Sequence, residues 1–245
     1  MTSLPERTVP PGPLKRAIRT GFIIVAIIVF LVLLLPYALA PLYRVINPVS
    51  TLMLWRWGRG APVESRWMPL DRMAPALPRF VIVAEDDRFC SHHGVDFGEL
   101  REVVRAEVHG VRRPRGGSGI TQQLAKNLFL WPGRSYIRKA LELPLAVWID
   151  IVIPKRRQIE LYLNIVQWGP DGEFGAQVAA RRAFGRSASS LSAPQAALLA
   201  ATLPNPVRRD ARQPSSSLRR LAAIIAARAA SEGNSDCCIR AVCRS

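Results

Sequence analysis

The chain has 245 residues and 49% of them are hydrophobic, a composition that excludes an intrinsically disordered protein. Its formal net charge is +16, so its surface favours anionic partners: nucleic acid, lipid headgroups or a pyrophosphate substrate. Charge does not choose among these, and an arginine-rich genome also produces such an excess. Four cysteines, Cys90, Cys237, Cys238 and Cys243, match no zinc spacing and support no disulfide assignment.

Residues 1–19 form a Pro-containing basic tail, expected to lack fixed structure. From Thr20 to Tyr43 no residue is charged. A bilayer crossing takes about 20 apolar residues, so this run is long enough for a transmembrane helix. It is too long for the apolar part of a signal peptide, although Ala38-Leu39-Ala40 would suit a cleavage site. The expectation is an uncleaved anchor over 20–43. Lys15, Arg16 and Arg19 precede it and favour a cytoplasmic N-terminus, while Arg44, Arg56, Arg59 and Arg66 follow it and weaken the asymmetry. About 200 residues then remain, enough for one domain with a core.

Residues 44–66 read as a membrane-proximal connector. Trp55 and Trp57, with Trp67 just beyond, suit either the headgroup zone or ordinary core packing. From Arg79 onward the pattern is helical. Asp96 followed by Glu99 predicts a capped helix to about His109. Arg112 to Gly119 is a basic, Gly-rich loop, and Thr121 to Leu130 returns to helix. Leu141, Leu145 and Trp148 share a helix face, with a kink expected at Pro144. Ile159, Tyr162 and Leu163 mark the next helix, Ser192 to Leu203 another, and Leu218 to Ala230 the last. No alternating strand pattern of useful length and no repeat appears, so the fold class is mainly α. Residues 67–232 form the main domain and 233–245 an irregular Cys-containing tail.

Four segments have residue types suited to chemistry. Glu85-Asp86 closes the apolar run Phe80 to Ala84 and leads to Phe89, Cys90, His92 and Gly94. A carboxylate beside apolar sequence is desolvated, which raises its pKa toward that of a useful base; the plain alternative is a solvated turn. Gly116 to Asn127 (GGSGITQQLAKN) is a Gly-rich loop entering a helix. Its backbone N–H groups, hydroxyls, amides and Lys126 could grip phosphate or sugar oxygens, yet it lacks the ending of a P-loop. Arg138-Lys139 and Glu142 place opposite charges on one helix face. Lys155 to Asn164 joins a basic start to an amphipathic helix. The last two also read as decorated surface helices. Basic residues outnumber acidic ones between 101 and 160, where an anionic substrate would have to bind.

In this order the four segments resemble the glycosyltransferase domain of peptidoglycan synthases, glycosyltransferase family 51, and most closely its monofunctional single-span members. The resemblance covers roughly residues 67–230 and extends through Gly175, Ala179-Ala180, Phe184, Leu191 and Leu203-Pro204-Asn205-Pro206. It leaves no room for a transpeptidase domain. It implies a lysozyme-like fold with a smaller membrane-facing lobe, and lipid II and the growing glycan strand as substrates. Glu85 would be the general base that activates the acceptor 4-hydroxyl for inverting attack, with undecaprenyl pyrophosphate leaving. Glu142 would be the second catalytic carboxylate, acting on the pyrophosphate directly, through a cation, or by holding basic side chains. The matched positions Asp86, Phe89, His92, Gly117, Ser118, Thr121, Gln122, Gln123, Lys126, Asn127, Arg138, Lys139, Lys155 and Asn164 would contact substrate. No cofactor is required, and a divalent cation, Mg2+ or Mn2+, is an optional aid. The implied location is the inner membrane, single-pass, with the domain facing the periplasm, beside other cell-wall synthases and away from nucleic acid. This sequence departs from the family pattern at Gly119 (usually Thr), Pro144, Ala183 and Gln195 (often Glu). Three other readings stay open at this point: a lysozyme-like glycan cleaver, a non-catalytic cell-wall scaffold and a membrane-tethered nucleic-acid binder.

Overall fold

A computed structural model of the chain describes residues 13–108, 110, 118–133, 135–203, 205–231 and 236–239. The chain divides into two compact units, residues 1–39 and 40–245. In the first, helix α1 spans Pro13–Leu39, beginning earlier than the uncharged run because Leu14 to Arg19 are compatible with helix. Apolar side chains are exposed all around it, Phe22 at 75% and Leu31 at 58%. Together with a following 3-10 turn, the stretch Arg16–Arg44 is long and apolar enough to cross a membrane.

The second unit is built from α2 (Thr51–Trp57), α3 (Ala76–Glu85), α4 (Phe97–Val108), α5 (Ile120–Phe129), α6 (Tyr136–Val152), α7 (Lys155–Ile165), α8 (Ala176–Phe184), α9 (Ala193–Thr202) and α10 (Ser216–Ser231). Among the described residues the strands are β1 (Glu64–Ser65) and β2 (Glu173–Phe174), paired in parallel. The mainly α class expected from periodicity is what forms. Helices α3, α9 and α10 pack on one another, and α5 packs on α6 and α7. Leu77, Ile82, Ile120, Leu124, Ile149, Ile159, Leu161 and Leu163 fill the core between these layers.

Local chemistry explains several boundaries. Asp96 Oδ1 accepts from the Glu99 N–H at 2.9 Å, the cap its position predicts for α4. His109 and residues 111–117, the expected end of that helix and most of the following loop, lie outside the described residues. Helix α6 is continuous through Pro144, the position at which a kink is expected. Pro144 has no N–H to offer the Ala140 carbonyl, and both residues are exposed. Gln195 keeps the capping box of α9: its Oε1 accepts from the Ser192 N–H at 3.0 Å, so the amide does here what a Glu would do.

The connector is tied to the domain. Arg157 of α7 donates to the carbonyls of Tyr43 and Ile46, both at 2.9 Å, and its guanidinium lies over the Trp67 ring. Trp55 and Trp57 remain about half-exposed. The tail departs from the irregular reading. Residues Cys237–Ile239 form a 3-10 turn with Ile239 buried, Cys238 is disulfide-bonded to Cys90, and Arg156 holds the Ile239 carbonyl. Spacing alone could not find this bridge, because its partners are separated by 148 residues and meet only after the helices pack.

Candidate active site

Helix α3 is apolar along its length, and its last residue, Glu85, stands at the rim of the core. It lines a cavity of about 560 Å3 together with Asp87, Glu99, Ser118, Gln123, Lys126, Asn127, Arg209 and Arg228. Glu85 Oε2 accepts from Gln123 Nε2 at 2.7 Å, whereas Oε1 is buried without a hydrogen-bond partner. Burial pushes the Glu85 pKa up. The Gln123 hydrogen bond and the charges of Lys126 and Arg209 pull against that, and the charge of Asp86 adds to it.

Helices α5 and α6 carry a group of cations, of which Lys126 lines the same cavity as Glu85. Arg138 and Lys139 lie one turn before Glu142, and each donates to its carboxylate at 2.7 Å. Glu142 is 2% exposed; with both oxygens engaged, it holds the two cations in place. Lys139 Nζ also donates to Ser118 Oγ and, at 3.3 Å, to Gln122 Oε1. Lys126 has its pKa lowered by burial, and among the described residues its ammonium makes no ion pair. The charges of both Glu142 and Glu85 favour its cationic form.

Gln123 links the two halves. Its Nε2 donates to Glu85 and, at 3.2 Å, to the Ser118 carbonyl, while Ser118 Oγ receives Lys139. Glu85 and the Glu142-organised cations are therefore linked through Gln123 and Ser118 by hydrogen bonds.

Several residues predicted to touch substrate instead hold the cleft's walls. Asp86 is buried, accepting from His92 Nε2 and from the Ile120 N–H, all at 2.9 Å. It thereby caps α5, whose own N-cap Gly119 has no side chain. Phe89 is fully buried under Lys155, whose ammonium lies 4.5 Å from the ring centroid and 2.8 Å from Asp150. Thr121 donates to Gln158 at 2.7 Å in the interior. Asn164 clamps Met68 through its main-chain N–H and carbonyl at 2.8 and 2.9 Å. All are polar or aromatic groups, and their pattern in the sequence looks the same whether they face inward or outward. Gln123 is likewise saturated by protein partners. Gly117 lies outside the described residues. Sequence reasoning missed Arg209, Arg228, Glu99 and Tyr162 as site residues. Arg209 and Arg228 follow α9 and sit in α10, with no motif spacing to mark them.

Among the described residues no three His, Cys, Asp or Glu side chains gather as a metal-ligand group. Glu142 is paired with two cations, and Asp86 is engaged by hydrogen bonds with His92 and a backbone N–H. These residues do not offer a ready seat for the divalent ion, and no step is routed through one.

A carboxylate with an unpartnered oxygen shares its cavity with cationic side chains in a helical domain, an arrangement that suits an anionic sugar substrate. The transglycosylase family profile matches residues 54–229. A biosynthetic peptidoglycan transglycosylase of Rhodopseudomonas palustris (strain TIE-1) is 58% identical over 88% of this chain and 89% of its own length. One from Nitrobacter hamburgensis is 57% identical over 88% of the chain and 93% of its own, and one from Rhizobium meliloti 48% over 86% and 90%. The chain belongs to the transglycosylase family, as a glycosyltransferase of the monofunctional biosynthetic kind, and its helical domain is the family's lysozyme-like one.

Proposed function

We propose that this glycosyltransferase polymerises lipid II into glycan strands and releases undecaprenyl pyrophosphate. The single observation that carries the reading is the buried, unpartnered Oε1 of Glu85 in a cavity that Lys126 also lines, linked through Gln123 and Ser118 to the Arg138–Lys139–Glu142 cluster. In the reaction Oε1 takes the proton from the acceptor sugar 4-hydroxyl as that oxygen bonds to the anomeric carbon of the donor strand. The bond from that carbon to the pyrophosphate breaks with inversion. Lys126, Lys139 and Arg138 stabilise the negative charge that develops on the leaving group, in a site already arranged before substrate arrives. The raised pKa of Glu85 makes it a stronger proton acceptor once ionised.

The apolar helix supports a single-pass anchor in the inner membrane, since the substrate's own tail is a lipid. A disulfide in the domain supports placing that domain on the periplasmic side, where disulfides persist.

Purified full-length protein in detergent is expected to convert lipid II to polymer, read by gel or by release of undecaprenyl pyrophosphate. Glu85→Gln is expected to abolish conversion while retaining the helical circular dichroism of the wild type. Full activity in Glu85→Gln, or cleavage of finished glycan without any lipid substrate, would sink the proposal.

A further inference from the structure

Tyr162 is fully buried in α7, and the reaction above gives it no task. Its hydroxyl donates to Gln123 Oε1 at 3.0 Å. We propose that Tyr162 is a positioning residue for the general base: it fixes which way the Gln123 carboxamide faces, so that Gln123 presents N–H to one oxygen of Glu85 and leaves the other as the sole proton acceptor. This inference rests on the reading of Glu85 as base.

A glutamine amide can rotate end for end, and its two ends differ in chemistry. With its oxygen toward Glu85, two acceptors would face each other, and the buried Tyr162 O–H would meet an NH2 group that cannot accept it. With nitrogen toward Glu85, every group is matched. Tyr162 O–H donates to Oε1, and Nε2 donates one hydrogen to Glu85 Oε2 and the other to the Ser118 carbonyl. Only the second arrangement leaves Glu85 with one engaged and one unengaged oxygen. Burial, and then the charges of Glu85 and Asp86, hold the Tyr162 pKa well above its ordinary value, so the phenol stays a donor. A phenylalanine there would keep the packing and lose the orientation.

The base is surrounded by other charges. Lys126 of α5 and Arg209 after α9 favour its carboxylate, and Asp86 opposes it. Asp87, Glu99 of α4 and Arg228 of α10 line the same cavity. None of these donates a hydrogen bond to Glu85 among the described residues, which leaves Gln123 as the direct donor to stabilise the ionised form. A carboxamide free to rotate stabilises it less, so the Glu85 titration moves to higher pH when the phenol is lost.

The experiment compares wild type, Tyr162→Phe, Gln123→Met and the double variant as full-length protein in detergent. The Glu85 side-chain carboxyl is followed by carbon-13 NMR against pH, alongside the pH profile of kcat with lipid II. In Tyr162→Phe the Glu85 midpoint and the acidic limb of kcat are both expected to rise. With kcat at pH 6 falling about tenfold and KM holding within about twofold, the loss would lie in the chemical step and not in binding. Gln123→Met is expected to raise the midpoint too, and adding Tyr162→Phe to it should move the midpoint no further. A midpoint and limb unchanged in Tyr162→Phe, with only the melting temperature lowered, would overturn the inference and make Tyr162 a packing residue. If Tyr162→Phe does not fold, an unchanged midpoint in Gln123→Met overturns it equally. A wild type that makes no polymer would defeat the polymerase reading alone, because the NMR titration still reports whether the relay acts on Glu85.

Discussion

Glu85 carries a conflict between stability and chemistry. Burial makes its carboxylate expensive in the folded state, and the Gln123 hydrogen bond with Lys126 and Arg209 offsets part of that. In the unfolded chain the group titrates near an ordinary glutamate value of about 4.3. As pH rises through that value the unfolded chain releases its proton first, and the folded protein retains it until its own higher pKa is passed. The folded state holds more protons throughout this window, so stability falls as pH rises across it and stays lower above. Glu85→Gln removes the titration without changing the side chain's size. The variant is therefore expected to melt above the wild type at pH 7.5 and level with it at pH 4, in paired thermal scans. An equal offset at both pH values would assign the difference to packing and not to charge.

At the scale of elements, the start of α5 is where loop, base and cations are brought into register. The helix has no side-chain cap of its own, and Asp86, 34 residues earlier, supplies one through the Ile120 N–H. The same contact bears on Gly119, the N-cap of α5. A Cβ there would fall inside contact distance of the Asp86 carboxylate, which His92 and Ile120 hold in place. Gly119→Ala is accordingly expected to lower stability by about 1–3 kcal/mol, the typical range for overpacking, measured by urea denaturation. A neutral or stabilising result would mean that Asp86 moves aside freely. A related close approach fixes Gly94, whose φ is +78° and whose missing side chain admits the backbone of Ala146 in α6. Helix α6 can then present Arg138, Lys139 and Glu142 beside the loop.

At the scale of the whole molecule, the disulfide between Cys90 and Cys238 closes a loop of about three-fifths of the chain and anchors the C-terminal turn close after Glu85. Replacing both cysteines by alanine is expected to lower stability by roughly 2–5 kcal/mol, as for native disulfides generally. A reductant should lower the melting temperature of the wild type at least as far. A melting temperature unaffected by either treatment would show that Arg156 and the buried Ile239 hold the turn unaided.

The amino-acid order by itself determined the apolar N-terminal helix, the succession of domain helices and the choice of Glu85, Lys126, Arg138, Lys139 and Glu142 as candidate groups. Those properties are local: an uncharged run, a helical period, a cap, two charges one turn apart. Only the tertiary structure decided the direction of each polar side chain. It turned Asp86, Phe89, Thr121 and Asn164 inward, brought Tyr162 and Gln123 to the base, added Arg209 and Arg228 to the cavity and joined Cys90 to Cys238. The reason is physical. A polar group's partner is set by where distant helices pack, 38 residues apart for Gln123 and Glu85 and 148 for the cysteines, and no local pattern records which buried donor will meet which acceptor.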